Sequence, residues 1–170
     1  MEFFAQIFGW LAIPFAVLRF QLQQLRLMLF ANAAGALLIG TSYFLQGLLA
    51  GGSIAIAAGF TSLLQATIGH KFSLPIKLAL AAPAIAFCFY LTFIMGSGMA
   101  ILPAIAFFIG RISETFKSEL HYRIANLFST TIWLAYLSFT WFLPGLVFEI
   151  IMLTSNLVGI YRFHVKPKKL

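Results

Sequence analysis

The chain has 170 residues, of which 62% are hydrophobic and 9% are charged. This composition excludes a water-soluble domain, because four carboxylates and eleven cations cannot cover such a surface with polar groups. The net charge of +7 would suit a nucleic-acid-binding domain, but no basic stripe with interleaved aromatic residues is present. Because Cys88 is the single cysteine, a disulfide framework and a CxxC metal or redox pair are also excluded.

The first part of the chain contains three apolar segments that are candidate membrane spans, for which a full crossing takes roughly 20 residues, with about 17 tolerated. A polar turn over residues 21–26 and an uncharged return over residues 46–53 separate them. The N-terminus has no basic region and no small-residue cleavage site, which favours a first span over a signal peptide. The predicted spans are about 3–18, 27–45 and 54–68.

Four further spans are predicted in the rest of the chain. Ser73-Leu74-Pro75 breaks the chain before the fourth span, because proline stops one helix and suits the first turn of the next. Gly96-Ser97-Gly98 forms the following turn, and Leu143-Pro144-Gly145 marks the end of the sixth span. The predicted spans are about 76–94, 99–110, 120–139 and a seventh that ends near residue 161.

The cations predict the orientation. All eleven lie in four clusters, at residues 19–26, 71–77, 111–123 and 162–169. Seven spans place every cluster on one side, which the positive-inside bias identifies as the cytoplasm, with the N-terminus outside. Six spans are the alternative because the fifth is short, but they put two clusters on opposite sides or require a re-entrant loop. Each cation is then expected in a cytoplasmic loop or at a helix end, with anionic lipid headgroups as counter-charge.

The two halves share one layout and predict an all-α membrane domain that contains an internal repeat. A shift of 94 residues aligns Asn32 with Asn126 and Gly51 with Gly145. A single linker span between two three-span units gives them the same orientation, hence a parallel repeat. The predicted parts are repeat 1 at about 3–71, a linker helix at about 76–95, repeat 2 at about 99–163 and a basic tail at 164–170.

This plan of three, one and three spans resembles the SWEET and PQ-loop transporters, although none of the six prolines is followed by Gln. Gly110-Arg111, Leu143-Pro144-Gly145, Glu149 and the run from Ser155 to Arg162 are similar to the YgjV-type bacterial inner-membrane proteins. The two resemblances imply a multi-pass inner-membrane protein on a SWEET-like scaffold.

Polar residues within spans are the candidate site residues, because they cost energy in hydrocarbon and usually face the bundle interior. Glu149 lies five residues beyond Pro144, roughly 7–8 Å into the last span, where an ionised carboxylate needs a partner or water. It is either a proton-coupling or substrate-binding carboxylate, or a structural carboxyl that hydrogen-bonds to a neighbouring helix, or one that reaches the outer water. Asn156 is close to two turns further on the same face, and Ser62 takes its place in the aligned half.

The resemblance to SWEET-type proteins implies that the third and seventh spans each present an Asn to the substrate. Asn156 matches that pattern and Ser62 departs from it. Asn32 and Asn126 form a matching pair near the cytoplasmic ends of the second and sixth spans, and Trp133 could stack on a ligand. Packing between helices is the alternative explanation for each of these residues.

Other features are expected at span interruptions and span ends. The resemblance implies hinges at Pro14 and Pro103, which interrupt the first and fifth spans, with packed kinks as the alternative. Arg111 with Glu114 falls at helical spacing and predicts an interfacial ion pair or a solvated face. Tyr43 is expected in the aromatic belt at the membrane interface. The pair Lys117 and His121 is expected to behave as Arg111 and Glu114 do.

No catalytic constellation is found in the sequence. The three histidines lack metal-ligand spacing, and no Gly-rich phosphate loop precedes a helix, so neither an enzyme nor a cofactor is predicted. The predicted function is a small-solute carrier with a path between the repeats, and the alternative is a non-transporting scaffold or accessory protein. The expected partners are the lipid bilayer and a small solute, and no binding of nucleic acid is expected. A homo-oligomer is compatible with the sequence.

Overall fold

The computed structural model describes residues 1–69, 72–94, 99, 101–116 and 118–166, and these form an all-α bundle. Helix α7 is followed by a π-helical turn over Tyr161–Val165. The helices in chain order are α1 Glu2–Gln21, α2 Leu25–Leu45, α3 Leu49–Thr67, α4 Leu74–Ile94, α5 Ile101–Thr115, α6 Glu119–Thr140 and α7 Leu143–Ile160.

Each predicted span corresponds to one of these helices. Within the described ranges, five helices are long and apolar enough to cross a membrane, namely α1, α2, α3, α4 and α7. Helix α5 has 15 residues, fewer than a full crossing needs. Helix α6 has 22 residues, and polar side chains such as Glu119, Arg123 and Asn126 lower its hydropathy. The two helices that fall short therefore include several of the polar residues described below.

Helices that follow each other in the chain pack antiparallel where their contacts are described. The Ser42 hydroxyl near the end of α2 donates to the Ala5 carbonyl near the start of α1, at 2.6 Å. The Ser129 hydroxyl of α6 donates to the Ala106 carbonyl of α5 at 2.8 Å. Such bonds satisfy polar side chains that would otherwise be unpaired between helices.

Two pairs of helices distant in the chain pack parallel. Gly9 of α1 lies beside Pro144 at the start of α7, and further along Ser155 of α7 donates to the Val17 carbonyl of α1 at 2.9 Å. Helices α3 and α5 pair in the same way, with Ala58 next to Arg111 and, further along both helices, Ser62 next to Glu114. We refer to α1–α3 and α5–α7 as two groups of helices. They contact each other through α1 with α7, through α3 with α5 and through the Arg19 side chain of α1 with α6.

Helices α2 and α3 approach closely because glycines face each other across their contact. A Cβ at Gly52 would lie 3.1 Å from the Gly40 carbonyl oxygen, and one at Gly59 would lie 2.7 Å from Leu37. Small residues permit such close packing in the absence of a hydrophobic driving force. Gly47, at φ +82°, makes the turn between the two helices.

The return between α2 and α3 is shorter than predicted. Helix α3 begins at Leu49, so Gly51, Gly52 and Ser53 are helical and not part of the turn. The reason is the packing of the two helices, since both glycines are buried there. Helix α5 also extends past its predicted end near Gly110 and includes Arg111 and Glu114.

Helix α4 lies at the edge of the bundle, and most of its described surface is not covered by other helices. It contacts α3 and α5 through a small apolar cluster that contains Cys88, Ile54 and Phe107. Pro83 lies inside α4, where proline removes one backbone hydrogen bond. A peripheral position suits a linker between two larger groups.

The two predicted hinge prolines occupy unlike positions. Pro14 lies inside α1, where it removes the backbone donor to the carbonyl four residues earlier. Pro103 is the third residue of α5. The prediction that Pro103 interrupts its helix is wrong, because a first-turn residue has no backbone acceptor within its own helix. Whether either proline acts as a hinge stays a prediction.

One end of the bundle, here called the basic end, holds the exposed cations of the described residues. These are Arg26, Arg162 and Lys166, with Lys77 half-buried. Arg19 lies in the last turn of α1, at a helix end as predicted, whereas Arg111 and Arg123 lie about one turn inside their helices. All three are buried, at 4%, 5% and 0% exposed, so, contrary to the expectation, they are not open to lipid headgroups. Polar groups from other helices surround these three, as described below. The predicted turn at 96–98 and residues His70, Lys71, Lys117, Lys168 and Lys169 lie outside the described residues.

Candidate functional site

A cavity of ≈ 60 Å³ lies at the centre of the bundle, between the α1–α3 and α5–α7 groups. Every helix except α4 contributes to its wall. Since one water needs roughly 10–15 Å³ of such space, the cavity has room for a few waters or one small ion. Its polar and aromatic lining residues include Arg19, Asn32, Tyr43, Arg111, Asn126, Ser129, Thr130, Trp133 and Glu149.

Arg111 anchors a buried polar group at the contact between α3 and α5. Its Nη1 donates to Glu114 at 2.5 Å, to the Thr61 hydroxyl at 2.6 Å and to the Ser62 hydroxyl at 3.0 Å. Asn32 of α2 donates to the Ser62 hydroxyl at 2.6 Å, and Ser62 donates to Glu114. We call these five residues the Arg111 cluster. Its carboxylate compensates its guanidinium, as a buried charge requires.

Arg19 anchors a second group between α1 and α6. Its Nη2 donates to the Tyr122 hydroxyl at 2.6 Å and to the Asn126 side-chain oxygen, and its Nη1 lies 3.5 Å from the Met152 sulfur. The Asn126 amide donates to the Ser113 hydroxyl at 3.0 Å. We call these residues the Arg19 cluster. All of these contacts are with neutral groups.

Several buried polar atoms at this site have no hydrogen-bond partner among the described residues. They are Tyr43 Oη, Arg111 Nε and Glu149 Oε2 at the cavity, and Asn156 Oδ1 away from it. Leaving a buried polar atom unpaired costs about 1–3 kcal/mol. Three such atoms on residues that line one small cavity fit a site where water or a polar ligand completes the bonding.

Aromatic side chains form one part of the cavity wall. The Tyr43 and Trp133 rings stack with their centroids 6.1 Å apart, and Tyr136 meets Trp133 edge-on at 5.9 Å. The expectation that Tyr43 belongs to an interfacial belt is wrong, because it is 1% exposed and packed against Trp133. A glycine on α3, Gly51, leaves the space that the Tyr136 ring occupies.

Four of the six predicted substrate-binding residues line the cavity, namely Asn32, Asn126, Trp133 and Glu149. Ser62 lies directly behind the wall, bonded to Asn32. Asn156 lies elsewhere: it is 1% exposed and its amide donates to the Arg123 carbonyl at 2.8 Å. The structure therefore brings five of the six together and separates Asn156 from them.

Two residues of the site, Arg19 and Arg111, were not among the predicted substrate-binding residues, because the sequence placed them with the cytoplasmic cations. The predicted ion pair of Arg111 with Glu114 is present, but it is buried and not solvated. A signal for Arg19 was available. Small residues of α1 recur at alternating spacings of four and three, which places them on one buried face of the helix, and the next position on that face is Arg19. These positions are Ala5, Gly9, Ala12, Ala16 and Arg19.

Arg123 forms a third buried charge at the basic end. It donates to the carbonyls of Phe20 and Leu22 at 2.7 Å each and bonds to Glu119 at 2.5 Å. Two of the carbonyls at the C-terminus of α1, which an isolated helix leaves unpaired, are thereby satisfied. Arg123 thus ties α6 to the end of α1. Within the described ranges, no group of three His, Cys, Asp or Glu residues could hold a metal ion.

A protein-family model named Imp-YgjV and described as a bacterial inner membrane protein matches residues 3–167. The chain belongs to this YgjV family. Together with the apolar helices, this makes it a multi-pass protein of the bacterial inner membrane that contacts the lipid bilayer. No curated protein and no solved structure matches this YgjV protein significantly.

Proposed function

We propose that this YgjV protein is a carrier for a small solute, with a path that passes through the central cavity. The observation that carries the proposal is the cavity itself, a polar space at the middle of an apolar bundle. Three unpaired polar atoms belong to its lining residues. Charged residues within membrane spans are costly and typically mark substrate or ion pathways.

The packing of the helices supports a repeat of the SWEET-like kind. Under the 94-residue shift, α1, α2 and α3 correspond to α5, α6 and α7, so the contact of α1 with α7 corresponds to that of α5 with α3. Both contacts are parallel, as a two-fold axis along the membrane normal requires. We infer that the two groups are the repeats, that α4 is the linker and that all seven helices span the membrane. The positive-inside bias then places the basic end in the cytoplasm.

This arrangement places the cavity where a carrier needs it. Sites between repeats become accessible from alternate sides when one repeat rocks against the other. Asn32 and Asn126, related by the shift, both line the cavity. Arg111 links α5 to α3 across the two groups, and Arg19 links α1 to α6. Buried arginines thus bridge the two groups at two places, and rocking would rearrange these contacts.

The proposal is tested by the access of a water-soluble thiol reagent to the cavity wall. Cys88 is the single native cysteine, so Cys88→Ala provides a cysteine-free background. Ala106→Cys places a thiol on the cavity wall. Ala12→Cys is the matched control, since both alanines are 0% exposed and Ala12 is not a lining residue. A membrane-impermeant thiosulfonate is applied to right-side-out and to inside-out vesicles.

A carrier predicts that Ala106→Cys reacts from both sides, and much faster than Ala12→Cys. Equal and negligible reaction of the two variants would overturn the proposal and favour the alternative, a non-transporting scaffold. One observation favours that alternative: most polar groups of the Arg111 cluster bond to each other, as knitting of helices requires. Reaction from one side only would indicate a blind cavity and would also contradict a carrier.

A further inference from the structure

Arg19 differs from the other two buried arginines in having no carboxylate partner among the described residues. Arg111 pairs with Glu114 at 2.5 Å, and Arg123 pairs with Glu119 at 2.5 Å. The contacts of Arg19 are a phenol, an amide and a thioether. Glu149 on the same cavity wall interacts electrostatically with Arg19, although the two side chains form no ion pair. A buried charge needs a counter-charge, so an anion inside the cavity would have to supply it whenever Glu149 holds a proton.

Arg111 supplies a second free donor at the same cavity. Its Nη1 makes the bonds of the Arg111 cluster, whereas its buried Nε has no partner. A guanidinium binds a planar carboxylate through two N–H groups with better geometry than it binds a spherical ion. The Arg19 Nη1 faces only the Met152 sulfur, a weak acceptor. Two guanidinium groups thus offer N–H donors that a carboxylate can accept.

Glu149 carries the same sign of charge as such an anion and also lies on the wall. Two carboxylates confined in one small cavity repel each other unless one of them holds a proton. Three charged or titratable groups line the cavity together with Glu149, namely Arg19 from α1, Tyr43 from α2 and Arg111 from α5. Behind them lie Glu114, which is bonded to Arg111, and Tyr136 of α6, which interacts with Tyr43. The lining residues from α3 are Ala55 and Ala58, which carry no charge.

We propose that the central cavity binds a small monocarboxylate together with one proton on Glu149. The carboxylate oxygens accept hydrogen bonds from Arg19 and Arg111. The cavity of ≈ 60 Å³ limits the ligand to a few non-hydrogen atoms, such as formate or acetate. The inference names a cargo class for the proposed carrier and rests on that proposal, while its binding step is measured without transport.

The first test compares acetate with acetamide, which has the same shape and no charge, on the purified full-length protein in detergent. Acetate is expected to bind with a Kd between about 0.1 and 10 mM, because a ligand of so few atoms cannot bind tightly. At roughly 100 times Kd it should raise the melting temperature by roughly 5–11 °C. Sodium chloride at equal ionic strength controls for salt. Equal shifts with acetamide or with chloride would overturn the proposal.

The second test addresses the proton. In the wild-type protein the Kd of acetate should rise about tenfold for each pH unit over the range in which free Glu149 is ionised, because one proton binds with each anion. Titrations between about pH 6 and about pH 9 cover the measurement. Glu149→Gln should still bind acetate, with no dependence on pH. The same pH dependence in wild type and Glu149→Gln would overturn the role of Glu149.

Arg19→Gln should weaken acetate binding at least tenfold. Arg19→Lys, which keeps the charge, should retain part of the binding and serves if Arg19→Gln does not fold. This result is separable from the carrier proposal. Acetate binding without thiol access at Ala106→Cys would support the binding site and contradict the carrier proposal. Thiol access without acetate binding would leave a carrier and remove the monocarboxylate.

Discussion

Gly159→Ala tests the buried arginine that joins α6 to α1. A Cβ at Gly159 would lie 2.5 Å from the Phe20 carbonyl oxygen and 3.1 Å from Arg123 Cζ, with Arg123 Nη1 closer still. The Phe20 carbonyl belongs to the backbone of α1, so it cannot move independently. Arg123 must therefore leave its position, and α7 must shift away from α1 as a whole. Arg123 then loses one or both of its bonds to the carbonyls of Phe20 and Leu22.

The magnitude follows from those two bonds. Each is a charge-assisted hydrogen bond of 2.7 Å, and bonds of this kind contribute about 1.5–3 kcal/mol each. Overpacking by one methyl group costs about 1–3 kcal/mol. Arg123 keeps its bonds to Glu119, because both residues are on α6. With one of the two bonds lost, these terms add up, and we expect Gly159→Ala to lower the free energy of unfolding by about 2.5–6 kcal/mol, or the melting temperature by at least roughly 5 °C.

The assay is thermal unfolding of the purified protein in detergent, with Gly110→Ala as the matched control. Both glycines are buried and helical, but a Cβ at Gly110 meets only the Ser129 hydroxyl, at 3.6 Å. Alanine is a better helix former than glycine by roughly 0.5–1 kcal/mol, so Gly110→Ala should be neutral or slightly stabilising. If Gly159→Ala melts within one or two degrees of Gly110→Ala, the bonds of Arg123 to α1 do not stabilise the fold as we argue.

Three further predictions concern stability and accessibility. Arg111→Met and Glu114→Gln should each destabilise the protein by about 3–5 kcal/mol, because either single change leaves a buried charge unpaired. The double variant should be destabilised by clearly less than the sum of the two single variants. Additive losses in thermal unfolding would contradict this pairing. Gly47→Ala should cost about 1–2 kcal/mol through its φ of +82°, although nothing lies within 4 Å, and Gly47→Asn should cost less. Cys88, at 0% exposure, should resist maleimide until SDS unfolds the protein, as mass spectrometry would show.

The apolar segments and the Gly, Pro and polar residues between them predicted the helices well, because both signals depend on local sequence. The boundaries failed where contacts between helices decided them. Gly51 and Gly52 were expected in a turn, since glycine clusters usually mark turns, but they are the residues that let α2 approach α3. Helix α5 was expected to end at Arg111, since a cation usually stops a span. It continues because Glu114, one turn later, lies within reach of Arg111.

The site was predictable to the extent that an uncharged polar residue inside an apolar segment attracts notice. Asn32 and Asn126 were found in this way, and both line the cavity. Glu149 was found similarly. The guanidinium groups were not, because a cation near the end of a span has two explanations, a loop charge or a buried charge that reaches inward. Only the neighbouring helices separate these explanations, and the sequence does not show which helices are neighbours.

The three buried arginines also change the basis of the orientation. Without Arg111 and Arg123, the third cation cluster retains only Lys117, which lies outside the described residues. The contacts of Arg123 replace this lost evidence for where the turn before α6 lies. Arg123 of α6 bonds to the carbonyl of Leu22, in the turn after α1, so the turn before α6 lies at the same end of the bundle as the turn after α1. Packing therefore determines which turns lie together at the basic end. The exposed cations are needed only to infer which side of the membrane that end faces.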